Sequence, residues 1–397
     1  MKVGDAHLTY CTNIHPGERW DEIRANLARY LPEVKRRVSP HAPFGVGLRL
    51  SAVAARALSE PGELAAFKMF LADHDLYVFT VNGFPYGPFH GTRVKDAVYL
   101  PDWRDPARLE YTNGLADVLA QLAPQGLDTT ATISTVPGAF KPAAASGEAI
   151  AAIVEHLLRH AAHLVALERT TGRRIMLALE PEPCCMLETV AETVAFFHEH
   201  LHAGAAAARL GLLAGLGESA ALDALRRHLG VCLDLCHAAV EFEDPRACIA
   251  RLEDAGIAIG KVQVTAGLRI PVVSAALVEA LSRYDDQVYL HQVVERSELG
   301  TARYVDLAEA VAAGRWQRAA SEWRVHFHVP VFLGALDPFE STQAFVREAL
   351  ARHRQRPCTA QLEVETYTWG VLPAQHRTAR VEEAIARELE WVRGELA

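Results

Sequence analysis

The sequence lacks several features that would point to other classes of protein. It has no CxxC pair among its seven cysteines, and the adjacent pair Cys184-Cys185 does not have zinc-site spacing, so we expect reduced thiols. It has no GxGxxG or P-loop motif after its early strands, which disfavours a nucleotide-binding open sheet. The formal net charge is −9 over 397 residues, and this acidic balance argues against binding nucleic acid by charge alone.

Long apolar runs are also missing. The nearest to a membrane-spanning run, Ala203–Gly217, is interrupted by Arg209, so we predict no membrane insertion. The first residues, MKVGDAHLTY, lack a basic stretch followed by an apolar one, which predicts no signal peptide. Hydrophobic residues make up 50% of the chain and charged residues 22%, a balance typical of globular proteins. We therefore predict a cytoplasmic protein.

Short runs of β-prone residues alternate with longer helical patterns along the chain. Several runs are almost continuously apolar, which is typical of strands buried on both faces of a parallel sheet. Eight such strands with helices between them favour a closed (β/α)8 barrel over an open doubly wound sheet. We therefore predict an α/β protein with one TIM-barrel domain over residues 1–397, although the length alone suggests two domains. The predicted barrel strands are Leu8–Ile14, Gly45–Leu50, Leu76–Val81, Thr129–Ser134, Arg174–Glu180, Gly230–Leu235, Gly260–Thr265 and Gln361–Thr366.

Two stretches interrupt the alternation. Residues 82–112 form a long segment rich in aromatic residues, proline and glycine, and such loops in compact domains are usually functional. We interpret residues 267–323 as an insertion between the seventh and eighth barrel strands, mostly helical but with an extended piece at Val288–Val294. A further strand-like run, Arg324–Phe332, follows it.

Polar residues stand where the later predicted strands end. Glu180, Asp234 and Glu365 end the fifth, sixth and eighth strands, Gln263 lies in the seventh, and His237 follows Asp234 by one turn. Active sites of α/β barrels lie at this end of the strands, so we expect these side chains to converge. One such carboxylate alone would more often be a helix cap or a salt-bridge partner, but the set predicts a divalent-metal site. An oxygen-dominated set suits manganese, magnesium or cobalt better than zinc.

A second group of residues is predicted to contact a substrate. Aromatic and polar residues near the ends of the first and third strands would suit a sugar or cyclitol ring, although loop aromatics can equally anchor a loop. His326 and His328 alternate along the run after the insertion, so they point the same way. The candidate substrate-binding residues are His15, Asn82, Phe84, Tyr86, His90, His326 and His328.

Other polar residues are more typical of structural positions. Lys95 could reach a phosphate group, but a single lysine is usually a surface residue. His156, His160 and His163 follow one helix on the side opposite its apolar stripe, which predicts a solvated face.

The strand-end residues resemble the xylose isomerase-like barrel superfamily. Its pattern is Glu on the fifth strand, D-x-x-H after the sixth, Gln or His on the seventh and Glu-Thr on the eighth. The resemblance implies one metal ion held by Glu180, Asp234, Gln263 and Glu365. It also implies that Glu180 and Glu365 are the acid/base pair and that His237 contacts a substrate oxygen. Histidine is commoner at the position of Gln263, but hydroxypyruvate isomerase-like members use glutamine.

Three phrases resemble the EboE family of bacterial metabolite-traffic proteins more closely. They are AHLTYCTNIHPGERW, TVNGFPYGPFHG and PDWRDPARLEYT, and the likeness covers nearly the whole chain. Those proteins belong to gene clusters that also contain a sugar phosphate cyclase and a prenyltransferase-like membrane protein. The resemblance implies a role in making or exporting a cyclitol-derived metabolite, without supplying a reaction.

Residues and resemblance together predict a divalent-metal-dependent isomerase or epimerase of a polyhydroxy carbonyl compound, a sugar or cyclitol with or without phosphate. A multi-metal phosphoesterase related to the apurinic-site endonucleases is the alternative enzyme, but the predicted third and fourth strands end without a histidine for extra ions. A non-catalytic barrel that binds a metabolite or scaffolds its export is the third reading. We expect one metal ion per chain and a small-molecule partner, and leave open a homo-oligomer or pathway partner proteins.

Overall fold

A parallel eight-stranded barrel forms the centre of the protein in the computed structural model, which describes residues 1–88, 95–281, 290–370, 372 and 380–397. Every barrel strand is almost wholly buried, which explains the nearly continuous apolar runs in the sequence. The strands are β1 Ala6–Tyr10, β2 Phe44–Arg49, β3 Leu76–Asn82, β4 Ala131–Thr135, β5 Ile175–Leu179, β6 Leu229–Asp234, β7 Ile259–Val264 and β8 Gln361–Val364. The predicted α/β barrel with an elaborated connection between β7 and β8 is confirmed.

The barrel strands follow one another in chain order around the sheet, and β8 pairs in parallel with both β7 and β1. Between β1 and β2 a single parallel bridge joins Cys11 to Gly47. The Thr9 hydroxyl adds a hydrogen bond of 2.7 Å to the carbonyl of Gly45. The short strand Lys2–Val3 pairs antiparallel with β1.

Amphipathic helices cover the outside of the barrel. In the first helix Ile23, Leu27, Leu31 and Val34 are buried at the three-four spacing that the sequence predicted, and Pro32 is accommodated within it. The helices are α1 Trp20–Val38, α2 Ala52–Leu58, α3 Pro61–Asp73, α4 Pro106–Leu122, α5 Gly147–Thr171, α6 Val190–Phe196, α7 Gly204–Ala214, α8 Glu218–His228, α9 Leu235–Val240, α10 Pro245–Asp254, α11 Ala275–Leu281, α12 Leu307–Ala313, α13 Gln343–Gln355 and α14 Val381–Leu396.

A second, antiparallel sheet lies in the connection between β7 and β8, where a mostly helical insertion was predicted. That prediction was wrong: among the described residues the connection has six strands, and its only α-helices before α13 are the short α11 and α12. Non-local strand pairing decides this region, and propensity within a short window does not reveal it. In sheet order the strands are Gly300–Tyr304, Val293–Ser297, Ser321–Val329, Ala266–Ile270, Phe339–Ser341 and Ala335–Leu336. They extend beyond residues 267–323.

Helix α5 is the longest helix among the described residues and packs along the barrel through Ile153, Leu157 and Leu164. It is also the one described helix that is long and apolar enough to cross a membrane, and the bent pair α7 and α8 would pass the same test together. A helix packed against the core of a soluble protein commonly passes this test, so it is weak evidence for a membrane span.

The histidines of α5 do not all face solvent. His160 is fully buried and its Nδ1 lies 2.7 Å from Oδ1 of Asn113, so the predicted solvated face is wrong at this position. The reason is that α4 packs against this side of α5, and a polar contact between the two helices replaces water.

Candidate functional site

A pocket opens where the carboxyl ends of the barrel strands face the second sheet. The barrel contributes Asn82 from the end of β3, and Asn13, Glu180 and Glu365 from the segments after β1, β5 and β8, to its wall. The second sheet contributes His326 and His328 from the strand Ser321–Val329, together with Gln292, which immediately precedes the strand Val293–Ser297. The elaborated connection therefore forms part of the pocket.

Three carboxylates meet at the base of this pocket. Glu180 follows β5, Asp234 ends β6 and Glu365 follows β8, so the carboxyl ends of three barrel strands deliver them to one point. One oxygen from each lies within 4.8 Å of an oxygen of the other two. All three side chains are buried, with exposures of 3%, 1% and 4%.

The charges of these carboxylates are poorly compensated by the protein alone. Burial and the charges of Glu365 and Asp234 raise the pKa of Glu180 well above its usual value. Among the described residues, Glu180 Oε2 and Asp234 Oδ2 are buried without a hydrogen-bond partner. A divalent cation would satisfy both oxygens and offset the repulsion, so the carboxylates fit a hard metal ion that prefers oxygen ligands.

Glu365 is held by a set of amide donors. Asn13 Nδ2 and Asn82 Nδ2 donate to its Oε1 at 2.7 and 2.9 Å, and Gln263 Nε2 donates to its Oε2 at 2.9 Å. The side-chain oxygen Oε1 of Gln263 accepts a hydrogen bond from the Cys232 thiol at 3.0 Å. In this orientation Gln263 presents its nitrogen, so a ligand role for Gln263 would require rotation of the amide by half a turn.

Asp234 links the metal candidates to the histidines. Its Oδ1 caps α9 by accepting the backbone N–H of His237 at 3.0 Å, and the Thr265 hydroxyl donates to the same oxygen at 2.6 Å. This cap explains the D-x-x-H spacing, because the first turn of α9 turns His237 towards the pocket. Oδ2 of Asp234 takes no part in this cap and has no hydrogen-bond partner among the described residues.

A buried ion pair lies in the barrel close to the carboxylates. Lys261 Nζ is 2.5 Å from Glu363 Oε2, and neither side chain is exposed by more than 1%. The ammonium group partly offsets the other influences that raise the pKa of Glu180 and Glu365. Glu363 shares that positive charge, so Lys261 alone does not neutralise the three carboxylates of the pocket.

Comparison with known proteins identifies the fold. A xylose isomerase-like TIM barrel protein from Mycobacterium smegmatis, solved in complex with magnesium, has a TM-score of 0.52 and 13% identity, covering 100% of this chain and 98% of that one. The protein has the xylose isomerase-like TIM-barrel fold. The zinc-bound IOLI protein has a TM-score of 0.48 at 11% identity, covering 98% and 97% of the two chains. The 3-keto-D-glucoside 4-epimerase of E. coli has a TM-score of 0.45 at 13% identity, covering 98% of this chain and 99% of that one. No family model and no curated protein matches the sequence.

Several of the predicted substrate-binding residues of this xylose isomerase-like barrel line the pocket, namely Asn82, Phe84, His237, His326 and His328. His15 lies elsewhere: it stacks on Tyr30 at 4.3 Å, and its Nε2 lies 3.0 Å from the Tyr10 hydroxyl. Tyr86 packs edge-on against Tyr111 and anchors the loop, which is the structural role that the sequence left open. His90 lies outside the described residues.

The xylose isomerase-like barrel also brings residues to the pocket that the sequence did not single out. Tyr99 donates to Glu182 Oε1 at 2.6 Å, and Gln292 Nε2 lies 3.1 Å from the same oxygen. Burial raises the pKa of Glu182 to about 7, against the opposing effect of these hydrogen bonds. The repeated glutamate in the phrase EPEP was the signal for Glu182, whereas nothing in the sequence joins Gln292 to it.

The structure also corrects the expected position of Lys95. Its side chain is only 12% exposed and it lines the pocket, where its Nζ lies 2.6 Å from Asp306 Oδ2. The expectation of a surface lysine was wrong because the segment before α12 covers it with a carboxylate. Asp306 also caps α12, so this ion pair joins the segment after β3 to the connection between β7 and β8.

Proposed function

We propose that the protein is a divalent-metal-dependent isomerase or epimerase of a polyhydroxy carbonyl compound, a sugar or cyclitol. The observation that carries this proposal is the convergence of Glu180, Asp234 and Glu365, with two buried oxygens that lack partners among the described residues. A substrate of this class offers adjacent carbonyl and hydroxyl oxygens. Such a pair can complete a cation site that the carboxylates begin.

The three carboxylates would hold the cation, with Gln263 as a fourth ligand if its amide rotates. A bound divalent cation would polarise the carbonyl and hydroxyl groups of the substrate and stabilise negative charge that develops between them. The all-oxygen set favours magnesium, manganese or cobalt. The magnesium in the M. smegmatis structure supports a divalent metal in a barrel of this fold.

Glu180 and Glu365 are the proposed acid/base pair, and their surroundings differ. Glu180 has one oxygen without a hydrogen-bond partner among the described residues, and burial and its acidic neighbours raise its pKa, which favours uptake of a proton. Burial and the charge of Asp234 also raise the pKa of Glu365, but the hydrogen bond from Asn13 opposes this rise, and three donated amide N–H groups fix the orientation of the carboxylate. Glu180 would therefore take the proton from the carbon beside the carbonyl, and Glu365 would return a proton to it from the other side of the substrate.

The remaining wall suits a ring with many hydroxyl groups. The ring centroids of Phe84 and Tyr99 lie 5.9 Å apart, and the two rings present aromatic surface to the pocket. His237, His326 and Asn82 present polar atoms to it. The EboE-like phrases support a cyclitol-derived compound of secondary metabolism as the substrate. They support no choice between a free and a phosphorylated ring.

Two other functions remain as alternatives. A multi-metal phosphoesterase is favoured by the histidines of the second sheet, but within the described residues β3 and β4 end in Asn82 and Thr135, without a histidine. A non-catalytic binding barrel would have no need of a carboxylate such as Glu180, buried without a hydrogen-bond partner at one oxygen. We therefore favour proton-transfer chemistry over both.

The test is solvent-deuterium exchange at the carbon beside the carbonyl, with a panel of ketoses and inososes and with Mg²⁺ or Mn²⁺ present. We expect exchange by the wild-type protein and a loss of roughly 100-fold or more in Glu180→Gln, which keeps an oxygen but cannot carry the proton. Glu388→Gln is the matched control, because it makes the same change at a buried glutamate outside the pocket. Turnover without exchange, or full activity in Glu180→Gln, would contradict the proposal. Binding of a panel member without exchange or turnover would favour the non-catalytic alternative.

A further inference from the structure

A buried ion pair lies one step below the residues that end the last two barrel strands. Lys261 in β7 precedes Gln263 by two residues, and Glu363 in β8 precedes Glu365 by two. Side chains two residues apart on a strand point the same way and stand about 6–7 Å apart along it. Lys261 and Glu363 therefore point into the barrel as Gln263 and Glu365 do, in the layer beneath them.

The ammonium group of Lys261 has more donors than acceptors around it. An ammonium group offers three N–H donors. Within the part of the chain that the structure describes, Lys261 Nζ has one acceptor, Glu363 Oε2 at 2.5 Å. The lysine side chain is fully buried, so the group is a charge held in a medium of low polarity.

The carboxylates of the pocket have the opposite deficit. Glu180 Oε2 and Asp234 Oδ2 are buried without a hydrogen-bond partner among the described residues. Opposite charges attract strongly in a buried site, and the four-carbon stem of a lysine is flexible. The Lys261 ammonium could therefore turn from its own layer towards these oxygens, yet it pairs with Glu363.

Glu363 keeps this partner from a position that the barrel leaves open for it. Its Oε1 lies beside Gly47 of β2, where an added Cβ would come within 2.0 Å of that oxygen. A glycine in a strand often marks such a close approach. Oε1 is also buried without a hydrogen-bond partner among the described residues, so the ammonium on Oε2 is the contact that compensates the charge of Glu363.

We propose that Glu363 is a positioning residue that holds the Lys261 ammonium away from the pocket carboxylates, so that a divalent cation and not the lysine binds there. The inference rests on the proposed function, because it concerns the metal site of that function. A lysine among the carboxylates would neutralise part of their charge and repel the metal ion. Stability alone gives little reason for the pair, since apolar residues of similar volume often stabilise a fold as well as a buried ion pair does.

The first test is the Mn²⁺ affinity of full-length variants, with free Mn²⁺ measured by electron paramagnetic resonance. Glu363→Gln should weaken Mn²⁺ binding roughly tenfold or more, because the released ammonium competes for the carboxylates. Adding Lys261→Met should return the affinity close to the wild-type value, since the competing charge is then gone. Glu388→Gln is the matched control: it changes a buried glutamate outside the pocket and should bind Mn²⁺ as the wild type does.

A pair with a purely structural role predicts a different order, with the double variant binding Mn²⁺ no better than Glu363→Gln. That order, or an unchanged affinity in Glu363→Gln, would overturn the proposal. Methionine and glutamine are close in volume to the residues they replace, so the double variant tests the proposal even if Glu363→Gln alone fails to fold. Its affinity should then match that of the wild type, and a loss of Mn²⁺ binding in it would overturn the proposal.

A metal-free measurement separates this proposal from the proposed function. With a chelator present, Lys261 in Glu363→Gln should pair with Glu180. Glu180→Gln should therefore lower the urea midpoint more in that background than in the wild type. An equal change in the two backgrounds would overturn the proposal even if the wild type binds Mn²⁺. A wild type that binds no Mn²⁺, with the difference between backgrounds present, would count against the proposed function and leave the positioning of Lys261 by Glu363 standing.

Discussion

Burying a charged carboxylate costs free energy unless hydrogen-bond donors or a cation surround it. The carboxylates of the pocket differ in how many donors they have. Glu365 has amide donors on both oxygens, whereas Glu180 and Asp234 each keep one oxygen unpartnered among the described residues. The sequence predicted these three carboxylates because each stands at a strand end. It could not predict Asn13 as a donor, since the predicted first strand ran to Ile14. The structure ends β1 at Tyr10 and turns Asn13 inward from a 3-10 turn.

Glu388 provides a pH test at a single residue outside the pocket. Its Oε1 accepts the Thr366 hydroxyl at 2.7 Å and the Val331 N–H at 3.1 Å, and burial raises its pKa from 4.5 to about 7. The folded state therefore holds this proton more tightly than the unfolded state, so stability falls as pH rises from about 4.5 through 7. Glu388→Gln keeps the accepting oxygen and should remove up to roughly 3 kcal/mol of that fall.

Urea unfolding at pH 5 and pH 8 would measure this difference. Glu390→Gln, the same change at an exposed position of α14, should leave the wild-type pH dependence unchanged. An equal loss of stability between the two pH values in Glu388→Gln and the wild type would show that the buried carboxyl does not titrate as expected.

At the scale of elements, Gly47 marks a point where the backbone of β2 lies very close to residues of β1 and β8. An added Cβ at Gly47 would lie 2.0 Å from Glu363 Oε1, which belongs to the Lys261–Glu363 pair, and 2.7 Å from the Tyr10 carbonyl. The periodic patterns predicted the barrel strands well, because each strand is buried on both faces. They failed in the second sheet, where strands such as Gly300–Tyr304 are largely exposed and depend on their partners.

Two alanine substitutions should have opposite effects on stability. Gly47→Ala should destabilise the fold by about 1–3 kcal/mol or more, because backbone and a buried ion pair must shift. Gly114→Ala lies in the interior of α4 with no atom within 4 Å of the new Cβ, so it should stabilise by about 0.5–1 kcal/mol. Chemical denaturation of both variants against the wild type tests the pair. A neutral Gly47→Ala would mean that β1 and β2 are not in close contact at this point.

At the scale of the whole molecule, the pocket joins the barrel to the second sheet. Strand ends supply the carboxylates, and the second sheet supplies His326, His328 and Gln292. The sequence predicted where this elaboration enters the chain but not that it forms a wall of the pocket. A contact such as Gln292 with Tyr99 joins residues 193 positions apart, and no local pattern encodes it.

Metal binding should therefore stabilise the whole fold. At 100 times the dissociation constant, a cation that binds only the folded state adds about 2.7 kcal/mol, which should raise the thermal midpoint of the wild type. Asp234→Asn should lose most of this gain. Its metal-free form should also be more stable than the metal-free wild type, because one of three mutually repelling buried carboxylates is gone. Thermal scans with Mg²⁺ and with a chelator measure both effects. An equal metal-dependent rise of the thermal midpoint in Asp234→Asn and the wild type would contradict a role for Asp234 in metal binding.

The central claim is that Glu180, Asp234 and Glu365 bind a divalent cation. Anomalous diffraction from crystals grown with Mn²⁺ tests it most directly, because the signal locates the ion without reference to any substrate. The account predicts a manganese peak bounded by oxygens of these three carboxylates, about 2.0–2.4 Å from each. A well-ordered pocket with no manganese peak among them, or manganese bound only elsewhere on the protein, would contradict it.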